Sequence, residues 1–278
     1  MIVTELGGIS GRLLVFGGVY SNLQALRALR AYADAAGIAP AQVICTGDVV
    51  AYGADPAACV DLVRDWGVTV VAGNVERQLA AGAMDCGCGF DEGSTCDRLS
   101  AGWYAHADAG CDSAARGWMA TLPDFVTFRH GDRRCVVLHG GASDIARFLW
   151  PVSPEDEFAA ERAVLERLCG PLDLVLAGHS GLAFTRRVGS MDWVNAGAIG
   201  MPPNDGARDT RFALLDEDGT VHLERLAYDA EAAVAAMRAA GLTQGYDRAL
   251  LSGCWPSEDV LPEALRRGAG AVPASALP

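Results

Sequence analysis

The chain has 278 residues, of which 51% are hydrophobic and 21% are charged, so it can bury a sizeable core and is not a disordered chain. Its formal charge of −13 at pH 7 argues against a nucleic-acid duplex or an anionic membrane as its main partner. No apolar run approaches the ~20 residues that a membrane-spanning helix needs.

The first third of the chain alternates short apolar runs with helical patterns. Strands are predicted over residues 12–16, 42–45 and 68–72, because each run ends in a polar turn that contains glycine. Helices are predicted between them, the second beginning at the cap Asp55-Pro56. This β-α-β-α-β order predicts a parallel sheet with functional groups at the carboxyl ends of its strands.

The rest of the chain is more varied. Residues 82–95 are rich in glycine and predict a loop, and residues 98–122 predict a helix broken near Gly110. The later predicted elements are strands at 125–129 and 134–138, a capped helix from Ser153-Pro154, strands at 172–176, 183–188, 192–195, 211–216 and 221–227, and helices at 230–240 and 246–252. We predict one domain over residues 1–266 with a Cys-rich, helical insertion at about 82–122, and a disordered tail at 267–278.

Polar residues stand where four of the predicted strands end. Each of them neighbours a glycine, and they are Asp48, Asn74, His139 and His179. Because the carboxyl ends of parallel strands lie along one edge of a sheet, these side chains can converge. A carboxylate, an amide oxygen and two imidazoles suit a borderline divalent ion such as Zn, Mn or Fe.

These turns, in this order, resemble the motifs of the calcineurin-like metallophosphoesterase superfamily. That family carries Asp-x-His, Gly-Asp, Gly-Asn-His-Asp/Glu, a lone His and Gly-His-x-His, and the chain has Gly47-Asp48, Gly73-Asn74, His139-Gly140 and Gly178-His179. The segment 255–262 also resembles a subgroup of small bacterial phosphoesterases. The resemblance covers about residues 12–265. It implies an α/β fold of the metallophosphoesterase type, a four-layer α/β/β/α sandwich, with two metals bridged by an aspartate.

The chain departs from this pattern at four positions. Gly18 and Tyr20 replace the Asp and His of the first motif, Val75 replaces the His after the Asn, and Gly181 replaces the last His. The resemblance therefore implies a degenerate first metal site that lacks three of its four ligands. It implies a second site that keeps all four, namely Asp48, Asn74, His139 and His179. We expect one divalent transition metal, Zn, Mn or Fe, with a metal-free remnant as the alternative.

The resemblance makes Asp48 and His139 the central catalytic residues, whereas the family's acid for the leaving group is missing. Glu76 and Tyr20 are candidates to replace that acid. For Glu76 we favour a solvated acid in the first turn of a helix, and Tyr20 is alternatively a filler of the space left by a missing ligand. Arg147 is a candidate for binding a substrate phosphate.

A glycine-rich polar segment brings Cys86, Cys88 and Cys96 within eleven residues. Because residues 1–12 do not resemble a signal peptide, we expect a cytoplasmic protein whose cysteines are thiols or metal ligands rather than disulfides. One interpretation is a mobile loop with incidental thiols. The others are a separate structural or redox metal site, or thiolates that supply the missing ligands, which is the condition for a second metal.

The sequence thus predicts a metal-dependent hydrolase with an altered, single-metal site that acts on a small phosphorylated or otherwise anionic metabolite. One alternative is a catalytically impaired relative that binds a metal or ligand as a sensor or partner protein. Another is a redox-metal enzyme of a different reaction class that uses the cysteine loop. We predict a small-molecule substrate, no nucleic-acid duplex and no membrane, and the sequence gives no indication of an oligomeric state.

Overall fold

The computed structural model describes residues 1–267. Numbered in chain order, the strands are β1 (Val3–Ile9), β2 (Leu13–Phe16), β3 (Val43–Cys45), β4 (Thr69–Val70), β5 (Phe125–His130), β6 (Arg133–Val137), β7 (Leu174–Ala177), β8 (Ala183–Val188), β9 (Met191–Ala196), β10 (Thr210–Leu215) and β11 (Val221–Leu226). The α-helices are α1 (Leu23–Ala35), α2 (Pro56–Trp66), α3 (Asn74–Ala81), α4 (Thr95–Gly110), α5 (Ser113–Thr121), α6 (Glu155–Cys169), α7 (Ala230–Ala239) and α8 (Tyr246–Ser252). Short 3₁₀ helices lie at Pro40–Gln42 and Glu263–Leu265.

The strands form two sheets. One has six strands in the order β1-β5-β6-β7-β9-β8, and the other has five in the order β11-β10-β2-β3-β4. The β2, β3 and β4 strands pair in parallel, as their sequence order predicts. In the larger sheet β6, β7 and β9 are also parallel neighbours, while β5 and β6 form an antiparallel hairpin.

The two sheets pack face to face, with helices on both outer surfaces. In β2, Leu13 and Val15 lie in the apolar layer between the sheets, whereas Leu14 and Phe16 lie in the cluster beneath the helices. The α6 helix covers the outer face of the larger sheet through residues such as Phe158, and the other seven helices contribute to the cluster on the smaller sheet. Strands buried on both faces need continuous apolar sequence, which is why these runs were recognisable. The predicted α/β fold with two sheets flanked by helices is confirmed.

Two local predictions were wrong or incomplete. The β1 strand was not predicted, because most of its residues are exposed and Gly7 and Gly8 weaken the strand pattern. The predicted cap of α6 also differs, since the Ser153 hydroxyl accepts the backbone N–H of Trp150 instead of capping the helix.

The predicted tail at 267–278 lies outside the described residues except for Arg267, which forms an ion pair with Glu258. Among residues 1–267, no helix combines the length and apolar character needed to cross a membrane.

Candidate metal centre

Four polar side chains meet where strands of the two sheets end. Asp48 follows β3 and Asn74 follows β4, both in the smaller sheet. His139 follows β6 and His179 follows β7, both in the larger sheet. The prediction that these residues converge is confirmed, although the prediction that they share one sheet edge was wrong. The centre lies at the junction of two sheets.

Distances within this group match those between the ligands of a bound metal. The Nε2 atom of His139 lies 3.0 Å from Oδ1 of Asn74, 3.1 Å from Nδ1 of His179 and 3.4 Å from Oδ2 of Asp48. Two ligands at 2.0–2.1 Å from a tetrahedral Zn²⁺ are separated by about 3.4 Å. The donor atoms of Asp48, His139 and His179 also lie within 4.8 Å of one another.

Hydrogen bonds outside the centre fix which atoms face it. The Nδ1 atom of His139 lies 2.6 Å from the carbonyl oxygen of Thr46, which can only accept, so Nδ1 carries a proton and Nε2 is the atom that faces the centre. The Asn74 amide nitrogen donates to the carbonyl of Cys86 at 2.9 Å, which turns Oδ1 toward His139. The Nε2 atom of His139 therefore faces an amide oxygen and a carboxylate. Burial alone would lower the pKa of His139, but the charge and hydrogen bond of Asp48 outweigh it and raise the pKa, so a proton on Nε2 can balance the carboxylate when no metal is bound. A divalent metal would take the place of that proton, so these residues fit a divalent metal.

The charges of the group also suit a cation. Burial and the neighbouring His139 lower the pKa of His179 to about 3, which keeps its imidazole neutral. Burial alone would raise the pKa of Asp48, but the charge and hydrogen bond of His139 outweigh it and hold the pKa below its usual value. Asp48 is therefore ionised and His179 is unprotonated, and these are the forms that bind metals.

The turns that carry the ligands adopt unusual backbone conformations. Asp48 has φ 54° and His179 has φ 63°, in the left-handed region that non-glycine residues seldom adopt. A β-carbon at Gly47 would lie 2.6 Å from the backbone nitrogen of Gly73 and 2.8 Å from Nδ1 of His139. Only glycine permits this approach between the two sheets, and such strain is concentrated at functional sites.

Glu76 is fully buried, so the prediction of a solvated first-turn acid was wrong. Its carboxylate accepts the backbone N–H groups of Gly73 and Asp48 at 2.8 Å, and those of Val49 and Val50 at 2.8 and 3.3 Å. Burial and the charge of Asp48 raise the pKa of Glu76 to about 7. Its oxygens are thus engaged in holding the turn that carries Asp48.

Three of the four positions at which the chain departs from the resembled family, Gly18, Tyr20 and Gly181, lie close together. A β-carbon at Gly18 would lie 2.7 Å from Cζ of Tyr20, and one at Gly181 would lie 3.8 Å from the Tyr20 hydroxyl. Tyr20 is 7% exposed and lines a cleft beside Asp48. Val75 is buried in the core beneath the centre. The ring of Tyr20 therefore fills the space between two positions where the family has metal ligands.

The cysteine segment packs against the centre. Cys86, Cys88 and Cys96 are 4%, 7% and 5% exposed, so these side chains are buried although the composition of their segment is polar and rich in glycine. Cys86 and Cys88 form a disulfide, contrary to the expectation of free thiols. Among residues 1–267, the only group of three or more acidic, His or Cys side chains placed to hold a metal is Asp48, His139 and His179. The segment contacts the centre through Asn74, whose amide nitrogen donates to the Cys86 carbonyl and to the Cys88 sulfur.

A Cys86→Ser/Cys88→Ser variant should therefore keep the wild-type metal stoichiometry. The bond that orients Asn74 comes from the backbone carbonyl of residue 86, which the substitution leaves in place. Elemental analysis of the variant and of a Cys135→Ser control, a buried thiol elsewhere in the core, checks this. If the double variant loses metal and the Cys135→Ser control does not, the result would contradict this prediction and indicate that these sulfurs are ligands.

Arg147 is engaged by carboxylates of α6. Its guanidinium forms ion pairs with Glu157 at 3.3 Å and with Glu161 at 3.2 Å. Glu161 is 2% exposed and also accepts the backbone N–H groups of Ala142 and Ser143 at 2.6 and 2.9 Å. Arg147 is not among the residues that line the cleft. This arrangement stabilises the loop after His139 and balances the charge of Arg147.

Sequence reasoning missed several supporting residues. Glu161 belongs to a helix with regular patterning, and nothing local indicates that it binds a loop 18 residues earlier. The side-chain nitrogen of Asn195 donates to the carbonyl of Gly178 at 2.6 Å and supports the turn of His179. Phe148 follows Arg147 in the sequence, and its ring centroid lies 4.3 Å from that of His179. The sequence pattern did not identify it as part of the site.

Comparisons with known proteins identify the family and the fold of the chain. The model of the calcineurin-like phosphoesterase superfamily domain matches residues 13–220. An uncharacterised protein of Methanocaldococcus jannaschii is 23% identical over 239 residues, which are 80% of this chain and 89% of that protein. The crystal structure of a metallophosphoesterase from Sphaerobacter thermophilus superposes with a TM-score of 0.68 at 22% identity, covering 88% of this chain and 100% of that one. A hypothetical protein from Pyrococcus horikoshii OT3 superposes with a TM-score of 0.71 at 16% identity, covering 87% and 98%. Both of these crystal structures therefore share the fold of this chain.

Proposed function

Because the chain belongs to the calcineurin-like phosphoesterase superfamily, we propose that it is a metal-dependent hydrolase with a single-metal centre that cleaves a small phosphorylated metabolite. The observation that carries this proposal is the convergence of four donor side chains, in which Nε2 of His139 lies 3.0–3.4 Å from atoms of Asn74, His179 and Asp48. Asp48, Asn74, His139 and His179 would hold the metal. When bound, the metal would supply Lewis-acid stabilisation of the phosphoryl charge and activate water.

The restriction to one metal is supported by Tyr20. The space near Gly18 and Gly181, where the family has ligands of its first metal, is filled by the phenol ring. An aspartate at position 18 would meet both Tyr20 and the β-carbon of Ala198 at 2.7 Å. A second metal at this place would require Tyr20 to move.

The chain's own residues also determine which leaving groups are accepted. Burial, followed by the charge of Asp48, raises the pKa of Tyr20, so its hydroxyl stays protonated and can donate a hydrogen bond to an anion in the cleft. Val75 offers no proton where the family has a histidine, and Glu76 is held by backbone amides. Loss of a general acid slows reactions of poor leaving groups by about 10²–10⁴-fold. We therefore expect activated esters to be favoured.

Hydrolysis of bis(4-nitrophenyl) phosphate tests the proposal, because its leaving group departs without being protonated. The wild-type chain with Mn²⁺ should release 4-nitrophenolate, and Asp48→Asn should reduce the rate by about 100-fold or more, since it removes an anionic ligand. An alkyl diester should react more slowly than the aryl diester, because its leaving group needs a proton that the site does not supply. The control is His222→Ala, because His222 is an exposed residue of β11 that bonds to Asp216. An unchanged rate in Asp48→Asn would contradict the proposal.

A relative that binds a metal without turnover is the second candidate. It is favoured by the buried Val75 and by the Tyr20 ring, which together remove an acid and a metal position of the family. One equivalent of metal with no hydrolysis of either diester would select this candidate.

A further inference from the structure

An apolar cleft opens beside the metal centre. Asp48, His179 and Tyr20 lie among its lining residues. Its other walls come from three separate segments, which contribute Phe90, Phe148 and Trp255. Any group attached to a phosphoryl bound at the centre would therefore lie against aromatic side chains.

The aromatic walls are stacked and partly uncovered. The ring of Phe148 lies parallel to that of Trp150, with centroids 5.2 Å apart and an interplanar angle of 3°. Phe90 stacks on Phe148 at 6.2 Å and 20°. Phe90, Phe148 and Trp255 are only half-buried, whereas side chains of this size gain most from full burial. A flat ligand that stacks on these rings would remove their exposed faces from water, and this burial would favour its binding.

The cleft is poor in positive charge. Among residues 1–267, no arginine lines it, and the whole chain contains no lysine. The remaining residues 268–278 contain no basic side chain, and the nearby Arg147 is balanced by Glu157 and Glu161. A divalent metal with Asp48 would leave a net charge of about one positive unit, which matches a singly charged anion better than a doubly charged one.

We infer that this cleft is a subsite for a planar aromatic group carried by a singly charged phosphodiester, bound between Phe148, Phe90 and Trp255. The inference rests on the proposed function for the position of the phosphoryl group, and it adds the class of substrate. Phosphate monoester dianions and polyphosphates are disfavoured, because the walls provide no cation to neutralise their further charges.

Three probes that resist hydrolysis separate the effect of ring shape from the effect of charge. Methyl phenylphosphonate is aromatic and singly charged, methyl cyclohexylphosphonate has the same charge without a flat ring, and benzylphosphonate is aromatic and close to doubly charged at pH 8. The ring of each probe is attached through a carbon–phosphorus linkage, so no aryl leaving group is present. Calorimetry on the Mn²⁺-loaded protein should show that the phenyl probe binds about 5- to 10-fold more tightly than the cyclohexyl probe, the size of one aromatic contact. Benzylphosphonate should bind no more tightly than the phenyl probe.

Substitutions in the cleft test which side chains cause the preference for the phenyl probe over the cyclohexyl probe. Phe148→Leu and Phe90→Leu should each reduce the phenyl-over-cyclohexyl ratio toward one, while Trp118→Leu, a half-buried aromatic outside the cleft, should preserve it. Two cleft variants are used so that a folding defect in one, detected by its thermal melt, leaves the other informative. Equal binding of both wild-type probes, or a ratio unchanged in a folded cleft variant, would overturn the aromatic subsite. Tighter binding of benzylphosphonate would overturn the charge limit.

The same experiment separates this inference from the proposed function. In His139→Ala, both singly charged probes should weaken together as the metal is lost, while their ratio persists. If the wild-type protein holds no metal and hydrolyses no diester but keeps the ratio, the proposed function fails and the aromatic subsite stands. If hydrolysis is found and the ratio is one, the subsite fails alone.

Discussion

Replacing His139 with alanine should lower the affinity of the chain for Mn²⁺ by about 100-fold or more. Removing a residue that only hydrogen-bonds to a metal ligand already lowers metal affinity by about 10- to 100-fold, and His139 is itself a proposed ligand. The Nε2 atom of His139 lies within 3.4 Å of donor atoms of Asn74, His179 and Asp48. His139 also bridges the two sheets through its bond to the carbonyl of Thr46. Its loss therefore removes a ligand and the contact that sets the spacing of the others.

The measurement should use Mn²⁺ rather than Zn²⁺. Seven cysteines are free thiols in the described part of the chain, and thiolates bind Zn²⁺ well but Mn²⁺ poorly. Titration calorimetry after removal of bound metal gives the affinity, and His222→Ala controls for the removal of an imidazole elsewhere. Wild-type affinity in His139→Ala would refute the four-residue centre, whatever its catalytic role.

The predictable part of this structure depended on local signals. The runs that became β2, β3 and β7 are buried on both faces, so their apolar character is continuous and visible in sequence. Asp48 and His179 could be selected because each follows a glycine at the end of such a run. The rule that parallel strands present their carboxyl ends together applies within each sheet, whereas the meeting of Asp48 with His179 depends on how the two sheets pack.

The remaining part depended on contacts between distant segments. The first-turn position of Glu76 normally faces solvent, but here the turn after β3 lies over it and supplies three of its N–H donors. The burial of Cys86 and Cys88 likewise comes from packing against Asn74, which the polar composition of their loop conceals. In both cases the local pattern was correct for an isolated segment and was overridden by tertiary structure.

Glu76→Ala should lower the free energy of unfolding by about 3–5 kcal/mol, one of the largest effects expected from a single substitution here. The carboxylate accepts four backbone N–H groups, which the substitution would leave buried without an acceptor. Four hydrogen bonds to a charged group would sum to about 6–12 kcal/mol. The net loss is smaller because burial and the nearby Asp48 charge already penalise the ionised carboxylate, as its pKa of about 7 shows.

The matched control is Glu155→Ala. Glu155 is also an acid in the first turn of a helix, α6, but it is exposed, so its removal should change stability by less than about 0.5 kcal/mol. Urea unfolding of the metal-free proteins measures both changes. Glu76→Ala should also weaken Mn²⁺ binding, because the left-handed turn at Asp48 loses the acceptor that holds its amides. Equal stability of the two variants would show that Glu76 does not organise this turn, and the Asp48 position would then need another support.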